Sequence, residues 1–208
     1  MPEIVLYEFK RTRSNKCRWA LQEAGLDYRS EGNSVRTIGS EEVRRIHPLG
    51  KLPAALIDGK PLFESSAIVN AVADLVPEKN LIAKPGSWER TLHDQWTLYA
   101  TSEVEAWAWS GFLNKSPILL PAQQRRPEVV AQSAIFFKKG AAVLEERLGG
   151  TAYMLEDRFT ATDIIVSFAL LMGRMIGCLD DGFPNLNAYL DRLAEREFCP
   201  FKKTAAAA

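Results

Sequence analysis

Residues 50–66 run Gly-Lys-Leu-Pro-Ala-Ala-Leu-Ile-Asp-Gly-Lys-Pro-Leu-Phe-Glu-Ser-Ser, placing a carboxylate, two hydroxyls and free backbone groups in one turn-bounded unit. Ala54 to Ile57 is a short apolar run, Asp58-Gly59 is a two-residue hairpin signal, and Pro61-Leu62-Phe63 returns as a second strand. Glu64-Ser65-Ser66 then opens an apolar-periodic helix through Ile68, Val72 and Leu75, with Ser65 or Ser66 expected as its cap. The first-turn amides of such a helix point outward and attract anions. Leu52-Pro53 sets a proline ahead of the first strand, where it costs no ladder bond. A cis bond there would turn the Leu52 amide and carbonyl toward an extended ligand. Converging backbone groups, a helix N-terminus and a carboxylate suit a peptide-like ligand that carries both an amine and a carboxylate.

This order of strand, turn, strand, Glu-Ser and helix after Leu-Pro resembles the glutathione site of the cytosolic glutathione transferase superfamily, in its bacterial type with the class left open. The resemblance implies a thioredoxin-like N-terminal domain of order βαβαββα and an all-helical C-terminal domain, an α/β plus all-α fold. It implies that Glu64 and Ser65 hold the amine and carboxylate of the γ-glutamyl end. It also implies that the backbone of Leu52, before Pro53, pairs with the cysteinyl unit. Lys51 would reach the glycine carboxylate, with an exposed strand-edge lysine as the alternative reading.

A transferase of this kind keeps the sulfur of glutathione, its co-substrate, as a thiolate. A free thiol has a pKa of about 8.5, so little is ionised at neutral pH. A hydroxyl about 3 Å from sulfur, at a helix N-terminus, favours the anion, which then attacks an electrophilic carbon. In the family the donor lies between the first strand and the first helix, here Glu8 to Cys17. Counting back from Trp19-Ala-Leu-Gln-Glu-Ala-Gly25 puts Ser14 beside the reactive position of the bacterial classes. Counting forward from Leu6-Tyr7 brings Thr12 close to the serine of other classes. Ser14 is therefore the first choice and Thr12 the second, with Tyr7, Asn15 and Cys17 behind them. Ser14 is equally expected to cap the first helix, and the two roles are compatible. Cys17 falls on an apolar stripe and reads as a buried structural thiol. Arg11, Arg13 and Lys16 make the loop basic and read first as a solvated face, with help in holding a thiolate or a carboxylate as the alternative. The electrophile, small and hydrophobic, is expected against the first helices of the second domain. Trp96, Tyr99, Trp107, Trp109 and Phe112 supply aromatic surface there, and they read first as packing.

The elements that must hold these residues follow from periodicity. Ile4 to Tyr7 reads as a strand, Ser14 onward as a helix with Gly25 as its C-cap, and Tyr28 to Glu31 as a weak strand. Ser40 to His47 reads as a short helix stopped by Pro48, the residue beside the turn-forming His47. The first domain spans 1–78, a linker covers 79–87 within the proline-, glycine- and lysine-bearing stretch 77–87, and the helical domain takes 88–208. Trp88, Leu92, Trp96 and Tyr99 begin a helical stripe that continues toward Trp109. Val130, Ala134, Phe137, Ala141, Leu144 and Leu148 form another, ended by Gly149-Gly150. Thr160-Ala-Thr-Asp163 matches a capping box, with Phe159 placed to staple onto Ile164. Tyr153 to Asp163 resembles the capped buried helix of the same family, departing where a glycine is usual near Glu156. Leu186 to Leu193 is the last helix, and the Ala205–Ala208 tail is expected to fray.

Bulk properties exclude several classes. The 208 residues carry 26 Lys plus Arg against 26 Asp plus Glu, so no net field draws nucleic acid or a membrane surface. No apolar run approaches the roughly 20 residues of a membrane span, and the start lacks the pattern of a secretory leader. Three widely spaced cysteines without a CxxC pair, and only two histidines, argue against a disulfide scaffold and against a metal site. The expectation is a cytoplasmic protein with no metal, a homodimer by family resemblance, whose partners are glutathione and the electrophile. Two other functions compete: a non-catalytic binding or regulatory relative, and a glutathione-dependent isomerase or lyase. A thiol-exchange enzyme would need a cysteine near positions 12–14, where none stands.

Overall fold

A computed structural model describes residues 1–10, 12–155 and 158–202. Arg11, the departure at Glu156 and the Ala205–Ala208 tail lie outside the described residues. The chain divides into two compact units: Met1–Lys84 with the C-terminal segment from Arg196, and Pro85–Glu195.

The first unit is built on a four-stranded sheet of order β2-β1-β3-β4. Its elements are β1 (Ile4–Glu8), α1 (Ser14–Ala24), β2 (Arg29–Gly32), α2 (Glu41–Ile46), β3 (Ala54–Ile57), β4 (Lys60–Phe63) and α3 (Ser65–Asp74). β1 runs parallel to β2 and antiparallel to β3, and β3 runs antiparallel to β4. Every residue of β1 is buried because helices cover both faces of the sheet. Val5 and Tyr7 pack with Val43, Ile46 and Ala54 on the α2 side. α1 and α3 pack on each other across the other face, where Leu6 is fully buried. The Asp58-Gly59 hairpin forms as expected, both residues taking the positive φ (48° and 72°) that a tight turn between twisted strands requires. Gly25 closes α1 at φ 68°, donating its N–H to Gln22 and Leu21 carbonyls.

The C-terminal segment completes this unit. The Arg196 guanidinium forks onto both carboxylate oxygens of Glu23 at 2.9 and 2.7 Å, and Phe201 meets Trp19 edge-on at 5.7 Å. Trp19 is fully buried as a result of its packing.

The second unit is helical: α4 (Trp88–Tyr99), a π-helical stretch (Ala100–Glu105), α5 (Ala106–Lys115), α6 (Pro127–Arg147), α7 (Ala161–Met175) and α8 (Pro184–Ala194). Asp163, fully buried at the start of α7, ties this unit together. Its Oδ2 accepts from the Thr160 N–H at 2.8 Å and the Thr160 hydroxyl at 3.2 Å. Its Oδ1 accepts from the Met154 N–H at 2.9 Å and the Tyr189 hydroxyl at 2.8 Å. The capping box anticipated at Thr160 and Asp163 is thus part of a larger node.

The fully buried ring of Phe137 on α6 reaches α7 at Gly173, where a Cβ would lie 1.9 Å from its Cζ. Gly173→Ala forces that ring aside in a close-packed core. It is expected to lower the free energy of unfolding by about 1–3 kcal/mol, read as a shift in the urea midpoint. An unchanged midpoint would mean that the ring relocates without cost.

Candidate functional site

One row across the sheet, Glu31–Tyr7–Ala54–Phe63, sets the geometry of the candidate residues. Of the four strand ends at this edge of the sheet, three carry candidates: the exit of β1 toward Thr12 and Ser14, the entry to β3 at Leu52-Pro53, and the exit of β4 at Glu64-Ser65. The register therefore gathers segments more than 40 positions apart in sequence, and the Cys17 thiol marks the contact by donating to the Ser65 carbonyl at 3.6 Å.

The Leu52–Pro53 bond is cis. Leu52 stands outside the β3–β4 ladder, which begins at Ala54, and its side chain packs against the α2-side core. The turn leading to it is fixed: the Leu49 N–H donates to Nδ1 of buried His47 at 3.1 Å, and His47 packs on Phe63 at 4.9 Å. Gly50 takes φ 62°, and a Cβ there would lie 2.9 Å from the Cα of Gly39. Lys51 is exposed.

The start of α3 differs from expectation. Neither Ser65 nor Ser66 caps the helix; Glu64 occupies the N-cap position and makes no side-chain cap bond. Ser65 is already the first helical residue and is 6 % exposed. The cause is the Glu64 backbone, at φ 70° and ψ 118°, a region costly for any residue with a Cβ. That conformation swings β4 directly into α3 and keeps the Glu64 carboxylate exposed beside the uncapped first-turn amides. An anionic group finds free N–H donors and the positive end of the helix there, and an amine finds a carboxylate.

In the β1–α1 loop, Arg13 rather than Ser14 is the N-cap, and Ser14 is the first helical residue. Ser14 is fully buried, and its Oγ accepts from the Phe9 N–H at 3.2 Å. Thr12 is half-buried; its hydroxyl lies 2.6 Å from the Phe9 carbonyl and 3.0 Å from Ser14 Oγ, and accepts from the Ser14 N–H at 3.2 Å. The two candidate hydroxyls thus form one hydrogen-bonded pair, with Thr12 on the accessible side and Ser14 behind it.

The other loop candidates fall differently. Tyr7 packs in the α2-side core, where burial and then the charges of Glu42 and Glu31 raise its phenol pKa. Cys17 is fully buried, and burial pushes its thiol far above the ordinary range, which fits the structural thiol expected there. Lys16 does not lie on a solvated face: its side chain is 1 % exposed. Asn15 donates its N–H to the Thr12 carbonyl, while its Oδ1 is buried with no partner. Sequence reasoning had no signal for that atom, nor for the left-handed backbone of Glu64.

In the second unit the aromatics pair among themselves: Trp96 with Tyr99, Trp109 with Phe112, and Trp107 stacked on Phe136 at 4.4 Å. Among the described residues no group of three or more His, Cys, Asp and Glu is placed to hold a metal ion, and no helix is long and apolar enough to cross a membrane.

Comparison with known proteins gives this geometry a context. Residues 2–74 match the family described as the glutathione S-transferase N-terminal domain, and residues 108–197 match the glutathione S-transferase C-terminal domain. The chain is 27% identical over 182 residues to glutathione S-transferase GstA of Escherichia coli O157:H7, covering 85% of each chain. It is 30% identical over 161 residues to glutathione S-transferase F13 of Arabidopsis thaliana, covering 73% of this chain and 71% of that one. Elongation factor 1-gamma of Prunus avium is 30% identical over 169 residues, 78% of this chain but only 37% of that protein. Among solved structures, a sphingomonad glutathione S-transferase complexed with glutathione superposes with a TM-score of 0.80 at 26% identity, covering 94% of each chain.

Proposed function

Since the chain belongs to the glutathione S-transferase family, we propose that it binds reduced glutathione at the end of its sheet and transfers it to small hydrophobic electrophiles, as a cytoplasmic homodimer. The observation that carries this reading is the shared placement of Leu52-Pro53, Glu64-Ser65 and the Thr12–Ser14 pair at one row of the sheet. The γ-glutamyl carboxylate sits on the uncapped amides and hydroxyl of Ser65, and its amine on the Glu64 carboxylate. The Leu52 backbone pairs with the cysteinyl unit, and Lys51 reaches the glycine carboxylate. The sulfur then lies by the loop hydroxyls. Its proton leaves to solvent, the Thr12 hydroxyl turns its one proton from the Phe9 carbonyl to the resulting thiolate with Ser14 supporting it, and the sulfur electron pair forms a new C–S bond as the leaving group departs with its own pair.

The test is calorimetric titration with reduced glutathione on wild type and Glu64→Ala. Wild type is expected to saturate, and the variant to lose about tenfold in affinity, roughly 1.5 kcal/mol. Glu64→Gly is expected to lose binding likewise while gaining about 1 kcal/mol of stability, because glycine relieves the left-handed backbone. No wild-type binding at about millimolar glutathione sinks the proposal. The likeness to an elongation factor subunit favours a second reading, a glutathione-binding module without turnover. Binding without consumption of an activated aryl chloride would support that one, and turnover of a double-bond isomer alone would support an isomerase.

A further inference from the structure

On the transferase reading above, we infer that Asn33 is a positioning residue for the thiolate donor, acting on Thr12 and Ser14 through the backbone of Phe9. β1 and β2 pair in parallel up to Glu8 and Gly32, and one further rung follows. The Asn33 N–H donates to the Glu8 carbonyl at 2.8 Å, and the Lys10 N–H donates to Oδ1 of Asn33 at 3.1 Å. In a regular parallel ladder the second bond would go to the main-chain carbonyl of Asn33, and the two bonds would bracket Phe9. Here Asn33 has left the strand at φ 49°, after Gly32 at φ 95°. Its short side-chain amide stands in for its own main-chain carbonyl, a local substitution that suits asparagine in the left-handed region. The pairing thus runs one residue past the end of the strand, and Phe9 is the residue it brackets.

A bracketed residue turns its own N–H and C=O away from the partner strand. Those of Phe9 point away from β2, and the loop takes both: Ser14 Oγ accepts from the N–H at 3.2 Å, and the Thr12 hydroxyl donates to the carbonyl at 2.6 Å. The two candidate hydroxyls therefore hang on the backbone of one residue, and the bonds to Asn33 on either side of it set where that backbone stands. The Glu8 side of the bracket is rigid. Its carboxylate is 2 % exposed and is held by the Ser30 hydroxyl of β2 and by Arg18 of α1. On the Lys10 side the bond is made by a side chain at an exposed position, so the identity of residue 33 governs it. A hydroxyl that must meet a thiolate loses much of its effect when misplaced by about 1 Å.

Two variants separate the bracket from the fold. Asn33→Gly keeps the left-handed backbone, which glycine adopts freely, and keeps the N–H that bonds Glu8, but removes the acceptor for Lys10. Its urea midpoint is expected to match wild type. Asn33→Asp keeps an acceptor in the same place, and salt at about 0.5 M screens the added charge. The readout is the thiol pKa of bound glutathione, followed by the ultraviolet absorbance of the thiolate against pH. In Asn33→Gly it is expected to rise by about half a unit or more, and kcat/KM toward an activated aryl chloride to fall at least about threefold at pH values below it. Asn33→Asp should stay within about twofold of wild type. Glutathione affinity at about pH 5.5, where the bound sulfur keeps its proton, should be equal in all three, because Lys51, Leu52, Glu64 and Ser65 are unaltered. An unshifted thiol pKa in Asn33→Gly, or an equal shift in Asn33→Asp, would overturn the positioning role alone. A wild type that binds no glutathione would overturn the transferase reading, and this role with it.

Discussion

Thr12→Ala is expected to lower kcat/KM for glutathione conjugation by about two orders of magnitude and to raise the pKa of the bound thiol toward its free value of about 8.5. The hydroxyl of Thr12 is the accessible member of the pair at the head of α1, and Ser14 beside it is fully buried. A donor to a thiolate acts chiefly by favouring the anion, so its loss moves the pH–rate profile as well as the rate. The check is the pH dependence of kcat/KM, with the ultraviolet absorbance of bound thiolate as an independent readout. Thr12→Ser keeps the hydroxyl and should retain most of the activity. Ser14→Ala should cost nearer tenfold, because it acts through Thr12, and it should also destabilise by about 1 kcal/mol by leaving the Phe9 N–H without an acceptor. A larger profile shift in Ser14→Ala than in Thr12→Ala would reverse the two roles. No shift in either would move the donor elsewhere, Asn15 being the next group along the helix.

Asp163→Ala is expected to remove about 3–5 kcal/mol of stability, enough to leave little folded protein at growth temperature. The carboxylate accepts from two backbone N–H groups and two hydroxyls, all buried. Burial raises its pKa, and the four donors act against that rise. Truncation leaves the Met154 and Thr160 amides unpaired, each at a cost of about 1–3 kcal/mol before relaxation, and leaves the Tyr189 hydroxyl only its longer bond to the Asp163 backbone carbonyl at 3.4 Å. Tyr189→Phe should cost about 1 kcal/mol, since one donor leaves while three remain. Urea unfolding of both variants decides the matter: a similar small loss for each would show that Asp163 is merely a local helix cap.

The parts of this molecule that were legible in its sequence are those governed by short-range rules. The turn at Asp58-Gly59, the capping box at Thr160 and Asp163, and the C-cap at Gly25 each need only neighbours along the chain. The pairing of Leu52-Pro53 with Glu64-Ser65 was legible because one tight hairpin joins them. Where tertiary packing decides, local preference misled. Serine's preference for helix caps pointed to Ser65, but the left-handed turn at Glu64 started the helix one residue earlier than a serine cap would. Lys16 reads as solvated by its charge, yet its place on α1 buries it. The π-helical stretch at Ala100–Glu105 leaves no trace in the apolar spacing, which reads as one continuous helix. That Thr12 and Ser14 form one bonded pair was not legible either, because the loop's hydrogen bonds depend on the Phe9 backbone rather than on residue type.

The docking of Arg196 and Phe201 on α1 has a bearing on how the protein is made. Phe201 is translated 182 residues after the Trp19 that it covers, and Arg196 173 residues after Glu23. At roughly 5–20 residues per second, the interval between Trp19 and its cover is on the order of 10–30 seconds. Throughout that time a large indole stands in the nascent chain without its neighbour, a ready mark for a chaperone. The thioredoxin-like half of this protein is therefore finished only after the whole helical half has been synthesised, although most of it is encoded before that half.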